Sequence, residues 1–152
     1  MYANFRKWFE LLLEAIVILL MVTLTLIVLV AVIYRKAGDS LSWYDEVASV
    51  LLAWLTYYGA ALAAIHREHI GFSGVIQALK PAVRIPFVII SEIIILAFFA
   101  LLAWVGFDVL VILKGDSLIS LPQIPTRLTQ SVIPIGAILF FIAEALALPE
   151  LL

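Results

Sequence analysis

Four apolar runs, each about twenty residues or longer, fix most of what this chain can fold into. A helix rises 1.5 Å per residue, so about 20 apolar residues cross the roughly 30 Å hydrocarbon core of a bilayer. By that measure the sequence predicts spans at about residues 11–33, 43–65, 85–113 and 128–148. The third run is longer than a span needs, so its helix should tilt or project into water. Of the 152 residues, 66% are hydrophobic and only 13% charged. A soluble domain of this size hides only about 60–70% of its unfolded surface, so lipid is the solvent this composition fits. The expected fold is an all-α integral membrane bundle of four transmembrane helices, one domain over residues 1–152.

Charge and composition exclude several classes. The net charge of −2 argues against a nucleic-acid partner, which would require a basic patch for phosphate. The absence of cysteine removes disulfides, thiolate metal sites, iron–sulfur clusters and c-type haem attachment. Arg6 and Lys7 precede the first run as in a signal peptide. That run, however, exceeds a signal core of roughly 7–15 residues, and "VIYRKAGD" after it shows no small-x-small cleavage pattern. A retained helix is expected.

The connections carry the charge. Ser42 followed by Asp45 forms a capping-box-like start for the second helix, and Asp45 and Glu46 suit the positive end of its dipole. Trp43 and Tyr44 fit an interfacial aromatic belt. His66, Arg67 and His69 favour a helix C-terminus, with Gly71 able to cap it. In residues 73–84, Val75, Ile76, Leu79 and Val83 share one helical face and Gln77, Lys80 and Arg84 the other. This pattern predicts a short amphipathic interfacial helix, which Pro81 and Pro86 would separate from the third span. The alternative is that these residues form the wet first turns of the third span. The segment 115–127 is rich in turn formers yet carries Leu118, Ile119, Leu121 and Ile124, so it should pack on protein or dip into the interface. Pro134 should kink the last helix. Basic residues divide five (Arg6, Lys7, Arg67, Lys80, Arg84) against four (Arg35, Lys36, Lys114, Arg127), a small excess for both termini inside.

Charges within the spans are the first functional suspects. Because the helices alternate in direction, Glu14, Glu92 and Glu144 all fall toward one side, that of Arg67, Lys80 and Arg84. They read as a layer of carboxylates that pair with these bases or reach interfacial water, rather than as a proton or cation relay; pairing with a partner subunit stays open. Asp108 stands sixteen residues from Glu92, about 160° round the helix, so the two form no single site. His66 and His69 share a helix face, but the chain offers no third His, no Cys, and only Glu68 locally, which points away. A catalytic zinc site typically draws three protein ligands. The pair therefore reads as a polar helix terminus, with no metal, cofactor or catalytic residue expected. Ser49, Ala53, Thr56, Ala60 and Ala63, with Gly59 beside them, make a small-residue face on the second helix, the kind across which membrane helices pack closely. Val50, Trp54, Tyr58 and Leu62 make its bulky face. No nucleophile elbow or phosphate loop is present.

The stretch "SWYDEVASVLLAWLTYYGAALAAIHREHIGFSG" resembles the small membrane subunit of tripartite ATP-independent periplasmic (TRAP) transporters, the DctQ family. The matching positions are Trp43 and Glu46 at the opening of the second helix, the segment Gly59-Ala60-Ala61, and Arg67 followed by His69-Ile70. Where the family often has an acidic residue a few positions on, Ser73 stands here. Pro122 and "SVIPIGA", with Pro134 and Gly136, look like the family's last-helix entry. The resemblance implies a non-enzymatic subunit of the bacterial inner membrane with both termini cytoplasmic. Its implied partners are a large multi-helix subunit, which couples transport to sodium, and a periplasmic binding protein that delivers an organic anion, often a carboxylate. The small face of helix 2 would then hold the bundle together, and aromatic flanks would meet the large subunit. Two other readings stay open from the residues: an autonomous proton-coupled four-helix transporter using Glu14, and a haem or quinone anchor using His66 or His69.

Overall fold

The computed structural model describes residues 2–66 and 81–147. Helix α1 spans Tyr2–Lys36, α2 Tyr44–His66, α3 Pro81–Ile112, α4 Thr126–Gln130 and α5 Val132–Ala147. With α4 and α5 read as one span, four helices among the described residues are long and apolar enough to cross a membrane: Asn4–Lys36, Tyr44–His66, Val83–Ile112 and Thr126–Ala147. The four-helix membrane bundle expected from hydropathy is therefore present.

Helix α1 starts nine residues before the expected 11, at Tyr2. Hydropathy finds only the lipid-crossing part of a helix. Nothing in "YANFRKWFE" breaks the helix, and Phe5, Phe9 and Leu13 extend one apolar face through it. The Phe5 and Phe9 rings lie near-parallel, 6.3 Å apart, and Phe9 and Leu13 enter the core. At 35 residues, α1 is about 52 Å long, so both charged ends clear the hydrocarbon. It stops in a Schellman motif: Gly38, at φ 91°, donates to the Arg35 carbonyl and Asp39 to that of Tyr34.

The start of α2 falls one residue later than the sequence predicts. Val47 N–H donates to the Trp43 carbonyl, which makes Trp43 the cap residue and leaves the exposed Ser42 outside the helix. Among the described residues helix α3 runs from Pro81 to Ile112. Residues 81–84 thus belong to α3, and Pro86 lies inside it without ending it. The rest of the proposed interfacial segment, 73–80, lies outside the described residues.

Pro134 acts on the last helix, though not at its own position. Its ring has no N–H to give and crowds the carbonyl four residues earlier, that of Gln130. The helix divides at Ser131, between α4 and α5, so Pro134 falls in the first turn of α5, where it costs least. The Ser131 hydroxyl donates to the Leu128 carbonyl at 2.6 Å, which also accepts the Ser131 N–H, and the Thr129 hydroxyl donates to the Thr126 carbonyl at 2.9 Å.

Packing runs in a row: α1 on α2, α2 on α5, α5 on α3. The central helix is α5, which buries Val132, Pro134, Gly136, Ala137, Phe140, Ala143, Glu144 and Ala147. The core joins Phe9, Leu13, Ala61, Ala64, Ile65, Phe140 and Ala143, with Ile95 and Phe99 of α3 against it. Phe99 stacks on Phe140 with ring centroids 3.6 Å apart.

This arrangement corrects the expected role of the small-residue face. Ser49, Ala53 and Thr56 are exposed, and Ala60 and Ala63 only half-buried. Trp54, Tyr57, Ala61, Ala64 and Ile65 of α2 pack inward, centred about 110° round the helix from that stripe; Tyr58, Leu62 and, from the stripe, Ala60 also lie against the core. The reason lies in α5. Its Gly136 makes a close approach to Tyr57, and its Ala143 shares the core with Ala61, Ala64 and Ile65 of α2. The exposed hydroxyls turn inward on their own helix: Ser49 donates to the Asp45 carbonyl at 2.7 Å and Thr56 to that of Leu52 at 2.8 Å. A Cβ at Gly59 would meet nothing within 4 Å. Gly59→Ala should therefore stabilise the isolated chain, by up to about 1 kcal/mol of helix propensity. A lowered thermal midpoint in detergent would contradict this.

Candidate functional site

The polar side chains gather at the two ends of the bundle. At one end the α1–α2 turn meets the 113–125 loop. Arg35 donates to the Tyr44 hydroxyl at 3.0 Å, tying the end of α1 to the start of α2. Glu46, one turn into α2, accepts from the backbone N–H of Ile119 at 3.0 Å and of Ser120 at 2.8 Å, and also from the Ser120 hydroxyl. A single carboxylate thus holds the tip of a loop more than seventy positions away.

The loop is built to present that tip. Helix α3 gives way at Gly115, whose φ of 104° lets the chain reverse. Leu118 N–H donates to the Ile124 carbonyl, Ile124 N–H to that of Leu121, and Thr126 N–H to that of Asp116. Leu118 is buried and Ile124 half-buried against Val47, Val50, Leu51 and Trp54, round an apolar cleft of about 170 Å³. Trp54 donates its indole N–H to the Thr129 carbonyl at 2.8 Å. The loop does pack on protein, as its apolar content predicts. Ile119 does not: it is 94% exposed at the tip, held out by the Glu46 clasp.

At the other end, Arg6 donates to the Ile65 carbonyl at 3.1 Å, placing a cation on the C-terminal carbonyls of α2. His66 Nε2 lies 2.6 Å from Glu10 Oε1. Glu14, one turn along α1, completes a group in which one donor atom from each of Glu10, Glu14 and His66 lies within 4.8 Å of the others. Glu144 is buried on α5. Glu92 of α3 is half-buried, with one carboxylate oxygen enclosed and accepting no hydrogen bond among the described residues.

Of the residues singled out by sequence, Glu46 and Gly136 have the most specific surroundings. Trp43 is half-buried and Asp45 exposed beside the Glu46 clasp. Pro134 and Gly136 both lie in the α5 contact surface. A Cβ at Gly136 would come 2.6 Å from the Cβ of Tyr57. Arg67 and His69 lie outside the described residues. Sequence reasoning missed Gly106, where a Cβ would stand 3.0 Å from the Cδ and the backbone N of Pro134, and so missed the α3–α5 approach. It also missed the α1 partners of His66, because they lie more than fifty positions away. A groove at the loop end, of about 780 Å³, is lined by both signs of charge, Lys114, Asp116 and Arg127.

These features define a multi-pass helical membrane protein whose polar groups tie its own elements together. The model of the DctQ component of tripartite ATP-independent periplasmic transporters matches residues 24–152, and the chain belongs to that family. It is thus the small component of a tripartite transporter, from a transporter-component family and not an enzyme family. No curated protein matches the chain significantly.

Proposed function

We propose that this subunit is a fixed membrane scaffold: it anchors a large multi-helix subunit that takes up an organic anion, of the carboxylate class, together with sodium. A periplasmic binding protein delivers the anion, and the loop end of the bundle forms part of the surface it approaches. The observation that carries the reading is the DctQ match over residues 24–152. The form of the bundle supports it. The most apolar window of α3 buries none of its residues within the chain and that of α1 only 6%, which leaves broad flanks for a partner helix or lipid. The Glu46 clasp gives the loop end a fixed shape. We place the protein in the bacterial inner membrane with both termini cytoplasmic, the side favoured by five basic residues against four. Substrate, sodium and any cofactor belong to the partners on this reading. The autonomous-transporter alternative needs Glu14 in a mid-membrane cavity, whereas Glu14 stands beside Glu10 and His66, at the end of α2.

Co-expression with a tagged large subunit tests the proposal. The small chain should co-purify in mild detergent, and reconstituted uptake should require it together with the binding protein and a sodium gradient. A chain that elutes alone, with uptake intact in its absence, would overturn the scaffold role.

A further inference from the structure

We infer that Glu10, Glu14 and His66 form a binding site for a divalent transition-metal ion of the zinc class, joining α1 to the end of α2. Local sequence gives His66 no such company. The fold brings it two carboxylates from another helix, with donor atoms all within 4.8 Å. Glu10 and Glu14 stand four apart on α1, where like charges repel. A positive neighbour would ease that repulsion. Arg6, one turn earlier on α1, brings one cation to this end of the bundle, and His66 Nε2 lies 2.6 Å from Glu10; a metal ion held by all three side chains would bring another.

The donor set restricts the kind of ion. Calcium takes six to eight oxygen ligands and magnesium an octahedron rich in water, whereas imidazole suits zinc and its neighbours. Three protein donors with a water in the fourth position is an ordinary tetrahedral zinc arrangement, with metal–ligand lengths of about 2.0–2.2 Å. Such lengths put donor atoms about 3.4 Å apart. The His66–Glu10 contact would open slightly and the wider separations close, adjustments within the reach of three partly exposed side chains. All three donors come from helices, and Phe9 and Leu13 of α1 pack on Ala61, Ala64 and Ile65 of α2 beside them. The backbones are therefore fixed before an ion arrives. The ion would act as a staple, resisting separation of α1 from α2.

The test uses the full chain in mild detergent, stripped with chelator and titrated with zinc chloride. About one zinc per chain should remain after desalting and raise the thermal midpoint, while magnesium and calcium at the same concentration do neither. Glu14→Gln and His66→Gln should each weaken zinc binding tenfold or more; Asp108→Asn, on another helix, should leave it unchanged. Should a variant fold poorly, cobalt bound to the unaltered chain provides a second reading: its visible spectrum should be that of a nitrogen–oxygen site. Less than a tenth of a zinc per chain would overturn the inference. So would full affinity in a variant carrying both Glu14→Gln and His66→Gln, or binding that survives His66→Gln and is lost in His69→Gln.

Discussion

Gly136→Ala is expected to destabilise the bundle by about 1–3 kcal/mol, the usual cost of forcing extra volume into a packed contact. The added Cβ would stand 2.6 Å from the Tyr57 Cβ, 2.8 Å from its Cδ1 and 3.0 Å from its Cγ. The first atom is fixed to the α2 backbone, so no change of rotamer moves it away. Helix α5 must separate from α2 instead, and α5 is the element on which α2 and α3 both pack. A lower thermal midpoint in detergent measures the effect. The geometry also sets the pattern of rescue: Tyr57→Ala should not restore Gly136→Ala, because the offending Cβ remains, whereas Tyr57→Gly should restore it in part. Equal rescue by both would show that the ring, and not the backbone approach, sets the contact.

The second large effect is expected at Glu46, in behaviour more than in overall stability. Glu46→Ala removes the acceptor for the Ile119 and Ser120 amides and for the Ser120 hydroxyl. Water can replace these bonds at an exposed end, so the fold should survive. The loop tip should not keep its place, because a buried Leu118 is the nearest anchor on one side and the tight Leu121–Ile124 turn the nearest on the other. Hydrogen exchange at the Ile119 and Ser120 amides should accelerate several-fold, and uptake by the assembled transporter should fall. Glu46→Gln should be intermediate, since one oxygen still accepts while the amide nitrogen faces an N–H donor. Unchanged exchange in the alanine variant would remove the clasp from the account.

The lipid-crossing parts of all four spans were legible in the sequence because 20-residue apolar runs have few alternative fates. The added turns of α1 were not, since "YANFRKWFE" is too polar to register as a span and helical only through a face whose partner is on α2. Glu46 could be singled out through family resemblance, yet its bonds to residues 119 and 120 could not. The reverse held for the small residues of α2. Their spacing was plain, and packing them inward was a reasonable inference, but a stripe states only that close approach is possible. The close approach is made elsewhere, at Gly136 against Tyr57 and at Gly106 against Pro134.

By itself the sequence determined the solvent, the number of spans, a disturbance of the last helix by Pro134, and the family. The first three follow from composition and local backbone chemistry and the family from the resemblance of its motifs, none of which needs knowledge of neighbours. Only the tertiary structure decided the order of the row, the face of α2 that packs, the loop tip held by Glu46 and the meeting of His66 with Glu10 and Glu14. In lipid, apolar faces are nearly equivalent, so hydrophobicity cannot choose among them. Steric fit at a few glycines and hydrogen bonds between distant residues make that choice, and both depend on which helices lie side by side.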